Sequence, residues 1–147
     1  MKKLMTLLLM LVSIYSIAEI KIEPNTALSG TKKEVSEGAA KRVAVFYRWY
    51  MTYLAKNEVP PVQHAVYDQN ITAQLQSKIL LSRSDRADIF FAQKDIDLNS
   101  DLVLKPIDYA DDKIYILMTI NGKYNYTLKI EMIMQKENWC INNVYRS

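Results

Sequence analysis

One histidine, one cysteine and a stretch crowded with aspartates are the residues through which this chain of 147 could do chemistry. His64, with Asp68 or Asp88 as its partner, is the best acid–base set on offer, because an imidazole oriented by a carboxylate is a common general base. Its spacing supports nothing further. No second histidine or cysteine stands at a metal-ligand interval, so His64 reads as a structural residue in a loop. Cys140 follows Trp139 in an apolar run and reads as a small buried hydrophobe; as the sole cysteine it rules out an intramolecular disulfide. No glycine-rich phosphate loop, nucleophile elbow or Ser-x-x-Lys pair is present. The sequence therefore predicts no catalytic residue, no metal ligand and no cofactor, and an enzyme is not the expected class.

Between Asp85 and Asp112 eight aspartates face only Arg86, Lys94 and Lys105, a formal balance of −5. Within this stretch Asp95, Asp97 and Asp101 sit at alternating positions like the start of a calcium loop. Such a loop wants Gly at its sixth position and Glu at its twelfth, and Ser100 and Pro106 stand there instead. The acids are read as a solvated loop facing a basic partner.

The elements that must position these residues begin with a helix over 41–56. Val43, Phe46, Tyr47, Tyr50 and Leu54 share one face at helical spacing, a stripe that needs a core to cover it. Val45 and Trp49 form a second ridge off that stripe. One flat sheet cannot bury both, so either the fold wraps around this helix or Trp49 is open to a partner. Val59-Pro60-Pro61 ends the helix. Ile71–Leu81 reads as a short second helix capped by Asn70 or Thr72, and Ser84–Asp88 as the start of a shorter turn leading to Ile89-Phe90-Phe91.

The remainder alternates as β-strands. Leu102–Lys105 reads as a short edge strand ended by Pro106. Lys113–Ile120 and Lys123–Met134 flank Asn121-Gly122, the strongest hairpin signal in the chain. Tyr124, Tyr126, Leu128, Ile130, Met132 and Met134 are expected inward, and Asn125, Thr127, Lys129 and Glu131 outward. A further turn at 135–138 leads to a last strand over 139–145. Helices followed by an antiparallel meander with one apolar face make an α+β fold.

At the N-terminus, Lys2 and Lys3, the apolar run Leu4–Val12 and Ser16-Ile17-Ala18 have the three parts of a secretory signal peptide, with cleavage expected near Ala18. The apolar run is shorter than the ~20 residues that cross a bilayer, so no stable membrane insertion is expected after cleavage. The expected organisation is a signal peptide over 1–18, a flexible arm over 19–38 and a single domain over 39–147, in a periplasmic or secreted protein. Without Lys2 and Lys3, 17 Lys+Arg stand against 16 Asp+Glu. A nearly neutral surface argues against nucleic acid as a partner.

The run Phe46-Tyr47-x-Trp49-Tyr50, the segment Asp88-x-Phe90-Phe91-Ala92-Gln93-x-Asp95 and the closing Trp139-x-Ile141-x-x-Val144 resemble a family of exported Gram-negative proteins of unknown function. Lys94 separates Gln93 from Asp95, where that family tends to have them adjacent. The order of elements resembles the nuclear transport factor 2-like, or cystatin-like, cone. That resemblance implies a first helix lying across the concave face of a curved sheet. Two functions are expected from the residues. One is a non-catalytic module that binds another protein through Trp49, Val45, Asp95, Asp97 and Asp101. Its special case is an immunity protein that inhibits a basic, cell-envelope-acting toxin. The alternative is a carrier holding a small apolar ligand among Phe46, Tyr47, Tyr50, Tyr124, Tyr126 and Met132.

Overall fold

The computed structural model describes residues 19–81 and 87–147. The expected signal peptide and most of the turn expected over 84–88 lie outside the described residues. Strand β1 (Ile20–Ile22) is followed by helices α1 (Gly30–Leu54), α2 (Ala65–Asn70) and α3 (Ala73–Leu81). Four strands complete the chain: β2 (Asp101–Ala110), β3 (Lys113–Asn121), β4 (Tyr126–Gln135) and β5 (Asn138–Arg146). The result is an α+β fold in which helices pack on one open mixed sheet of five strands in the order β1-β2-β3-β4-β5. Among the described residues no helix is long and apolar enough to cross a membrane.

Helix α1 lays its expected stripe on the sheet. Val43, Phe46, Tyr47 and Tyr50 are buried, and Ala39, Ala40 and Ala44 extend the buried face toward the N-terminus with side chains small enough for close approach. The helix begins at Gly30, well before the expected start at residue 41, and Ser36 is buried within it. Residues 19–38 are thus strand, turn and helix, not an arm. Ile20–Ile22 pair in parallel with Leu102–Leu104. Asn25 then turns the chain, its Oδ1 accepting from the Ala27 amide at 3.0 Å and its Nδ2 donating to the Ile107 carbonyl at 3.5 Å. Short pairings of this kind carry no periodicity, which is why an arm was the natural reading of the sequence.

Strands β2 to β5 form the expected antiparallel meander, with Ile114, Ile116, Met118 and Ile120 buried on one face of β3 and Leu128, Ile130 and Met132 beside them on β4. Met134, expected inward, is exposed near the end of β4, and three further details depart from the expected strands. First, β2 runs through Pro106 and does not end there. A proline lacks the amide a central strand needs, but β1 pairs only as far as Leu104, and a bulge falls at Ile107 between Pro106 and Asp108. Second, Asn121-Gly122 is not a two-residue hairpin, because Ile120 pairs with Tyr126 and Tyr124 lies in the intervening loop off the inward face. Third, Glu131, expected outward in solvent, is only 6% exposed. A second bulge at Asn142 lets that side chain donate to Glu131 Oε1 at 2.8 Å, while Lys113 Nζ stands 3.6 Å from Glu131 Oε2.

The two tight turns at the other end of the sheet are Asp111-Asp112 and Lys136-Glu137, with all four residues at positive φ. Positive φ at both central positions is the twist that two-residue hairpins prefer, here adopted without glycine. Gly122 is required for a different reason. A Cβ there would stand 2.2 Å from Ser100 Oγ and 2.7 Å from Asp97 Oδ2, so the hairpin backbone rests on the 95–100 loop with no room for a side chain. Gly122→Ala is expected to lower stability by about 1–3 kcal/mol, read from urea unfolding, through forced displacement of that loop.

Candidate functional site

The segment between α3 and β2 crosses the C-terminal half of α1, and polar side chains there serve a backbone that water does not reach. Phe90 and Phe91 are buried, so their amides and carbonyls need protein partners. Asp88 Oδ1 accepts from the amides of Phe90 and Phe91 at 2.8 and 3.0 Å. The Tyr50 hydroxyl donates to the other oxygen of Asp88. Tyr47 donates to the Phe90 carbonyl at 2.6 Å and Tyr126 to the Phe91 carbonyl at 3.0 Å. Arg146 closes the segment from β5: its Nε donates to the Ala92 carbonyl at 3.3 Å, its Nη2 to Gln93 Oε1 at 2.5 Å, and its guanidinium lies 4.4 Å over the Tyr126 ring. Ala92 is held at φ +49° beneath it.

The electrostatics follow from burial. Loss of solvent pushes the Asp88 carboxyl above the ordinary carboxylate value, opposed by its hydrogen bonds from Tyr50 and from the two amides. Burial and the neighbouring Asp88 raise Tyr47, Tyr50 and Tyr67, which stay protonated and able to donate. The Tyr67 hydroxyl is buried and, among the described residues, has no hydrogen-bond partner.

Of the residues expected to bind a ligand, all but Tyr124 are brought together, and they pack on one another and on Phe90 and Phe91 as core. The Phe90 ring centroid lies 4.8 Å from that of Phe46 and 4.9 Å from that of Tyr50, and Tyr47 meets Phe91 at 5.4 Å. Met132 is buried in the same cluster, Tyr126 is spent on Phe91, and Tyr124 is in the loop.

The residues expected to bind a partner are distributed over two places. Val45 is 59% exposed on α1. Trp49, one turn on, is half-buried, because α2 and the chain before it wrap that side of α1. The Trp49 ring is 4.8 Å from His64, 5.3 Å from Tyr53 and 5.4 Å from Tyr67. Asp95 and Asp101 are exposed. Asp97 instead ties the loop to the hairpin: its Oδ2 accepts from the Lys123 amide at 2.7 Å and its Oδ1 from the Asn99 amide at 3.0 Å. Those bonds, the Lys123 one foremost, lower its pKa. Asp95, Ile96, Asp97, Leu98, Asn99, Lys123 and Tyr124 line an open cleft of about 560 Å³.

His64 and Cys140 are used structurally. His64 Nδ1 accepts from the Val66 amide at 3.1 Å as the cap of α2. Cys140 is buried with its Sγ 3.8 Å from the carbonyls of Gln69 and Gln135, and burial raises its thiol pKa. Among the described residues no group of three His, Cys, Asp or Glu could hold a metal ion. Sequence reasoning did not single out Arg146 or the capping role of Asp88. Only the Asp-x-Phe-Phe spacing signalled the latter, since an Asp two and three residues before buried amides is a capping geometry.

No protein-family model matches the sequence, and no curated protein matches it. Among solved structures, the chain is similar to a chain in the crystal structure of the type VI native effector–immunity complex Tae3–Tai3 from Ralstonia pickettii. The TM-score is 0.62 at 12% identity, covering 76% of this chain and 94% of that one. It is also similar to a chain of the selenomethionine form of the same complex, with TM-score 0.60 at 9% identity, covering 74% and 96%. At these identities the likeness is one of fold.

The Asp88 lock has a measurable pH signature. A carboxyl raised in the folded state binds its proton more tightly there than in the unfolded chain. Its contribution to stability therefore falls as pH rises from the unfolded carboxylate value through the raised folded value. Asp88→Asn keeps an oxygen for the two amides and cannot titrate. The stability difference between wild type and Asp88→Asn should shift against wild type as pH rises through that window, read from thermal unfolding at matched ionic strength. Asp88→Ala leaves the amides and Tyr50 without an acceptor and should cost about 3 kcal/mol below the window, the cost narrowing as pH rises through it.

Proposed function

We propose that this protein is an exported, non-catalytic partner-binding module of the immunity type, which inhibits an effector acting in the cell envelope. The observation that carries the reading is the fold likeness to a chain of an effector–immunity complex, which spans 94% of that chain and so its whole domain. The immunity side is favoured over the effector side because the two residues best suited to hydrolytic chemistry are committed elsewhere, His64 to a helix cap and Cys140 to a buried site. The signal-peptide pattern of residues 1–18 supports a periplasmic setting. The order of elements and the α1-on-sheet packing support a cone of the nuclear transport factor 2-like kind.

The residues assigned to the partner stand in two places, Val45 on the exposed edge of α1 beside the half-buried Trp49, and Asp95 and Asp101 on the loop before β2 that Asp97 fastens to the hairpin. Exposed acids steer a basic partner and set the association rate. The test is affinity capture from a cell-envelope extract, followed by binding kinetics with whichever protein is captured. Val45→Asp and the pair Asp95→Lys, Asp101→Lys are expected to weaken binding about tenfold or more, the charge reversals mainly by slowing association at low salt. Recovery of a lipid or metabolite without any protein would overturn the reading.

A further inference from the structure

We infer that protonation of His64 at Nδ1 uncovers Trp49 on the side of α1 that carries Val45. The inference about the switch concerns this chain alone; its bearing on partner binding rests on the function proposed above.

The geometry is that of a cap that works only in one protonation state. His64 Nδ1 must be an acceptor to take the Val66 amide at 3.1 Å. A proton on that nitrogen replaces the acceptor with a donor facing another donor, and places positive charge at a helix N-terminus, where the amide dipoles disfavour it. The same ring is one of the covers of Trp49, at 4.8 Å between centroids, so losing the cap and uncovering the indole are one event.

Helix α2 is built to fray from that end alone. It has six residues and so little stability of its own. Its far end is fastened: Arg42 Nη2 donates to the Gln69 carbonyl at 2.6 Å, the Thr72 amide donates to the Ile141 carbonyl at 3.0 Å, and Tyr67 is buried. Before the cap, Gln76 Nε2 holds the Val62 carbonyl at 2.8 Å and the His64 amide donates to the Pro61 carbonyl at 2.9 Å. The movable part is the His64 ring and the first turn behind it.

The titratable groups placed about the imidazole are Tyr53 on α1, with ring centroids 6.2 Å apart, Tyr67 on α2, which shares the Trp49 ring with it, and Asp68 in the first turn of α2. Among the described residues none forms an ion pair with His64. Tyr67 is held protonated by burial and Asp88, so under the cap the imidazole is the group able to gain a proton.

The experiment uses the full chain in a Trp139→Phe background, so that Trp49 is the only tryptophan and is excited selectively over the tyrosines. The His64 ring proton is followed by NMR through its own titration. As it protonates, the amides of Val66 and Tyr67 are expected to exchange about fivefold faster after correction for intrinsic pH dependence, the loss of one cap, and Trp49 emission to shift to the red. His64→Asn keeps a capping oxygen that does not titrate and should hold both readouts flat and protected. His64→Ala should show the exposed values at every pH. Unchanged amides and emission across the wild-type titration, or the same pH response in His64→Asn, would overturn the inference whether or not a partner binds.

Discussion

The chain between α3 and β2 can enter the core only because its backbone is hydrogen-bonded by side chains from three other elements, and the rest of the fold depends on that lock. Phe90 and Phe91 fill the space between α1 and the sheet, but they bring with them amides and carbonyls that apolar surroundings cannot satisfy. Each such group left alone would cost on the order of 1–3 kcal/mol, comparable to what a buried aromatic side chain contributes. Asp88 takes the amides, Tyr47 and Tyr126 supply the carbonyls, and Tyr50 holds the carboxylate in place. Phenylalanine at position 47 or 50 would pack as well and satisfy nothing, which explains why the inner face of α1 carries tyrosines next to Phe46. The Phe-Tyr-x-Trp-Tyr and Asp-x-Phe-Phe spacings are two halves of this one lock.

How far a sequence discloses such an arrangement depends on whether the feature is periodic. The stripe on α1 and the alternation along β3 and β4 repeat over several turns or pleats and are legible in the sequence, but the alternation fails at the ends of β4, where Tyr124 lies in the loop and Met134 is exposed. The capping of α2, the pairing of β1 and the bulge at Asn142 are single events with no repeat behind them. They decide where Trp49, Glu131 and residues 19–38 end up. Glu131 shows the cost of reading alternation alone: one inserted residue on β5 turns an outward glutamate into a buried acceptor for Asn142. Asn121-Gly122 misleads for a related reason, since its glycine answers to contact with Ser100 and Asp97 and not to a tight turn.

The aspartates divide along the same line. By count the 85–112 stretch is strongly acidic, yet its members do different work. Asp88 is a buried cap, Asp97 fastens a loop to a hairpin, and Asp111 and Asp112 hold a turn at positive φ, which short polar side chains tolerate better than most. Asp95, Asp101 and Asp108 remain as charges presented to solvent without such a duty. Of these, Asp95 stands at the cleft that it lines with Lys123 and Tyr124.

This division bears on what a shared fold can transfer. At 12% identity two chains hold in common the positions of helices and strands, which are set by core volume and hydrogen-bond registry, while exposed side chains are free to differ. An interface inherited with such a fold must therefore be carried by its own chain's exposed residues, on a scaffold that fixes where they stand. Val45 fits that description, because nothing in the fold needs a valine at a position 59% exposed. Trp49 does not, because its contacts with Tyr53, His64 and Tyr67 already account for it. Its value to a partner depends on whether the cover contributed by His64 stays in place, so the ridge that one turn of helix sets out is half permanent and half conditional.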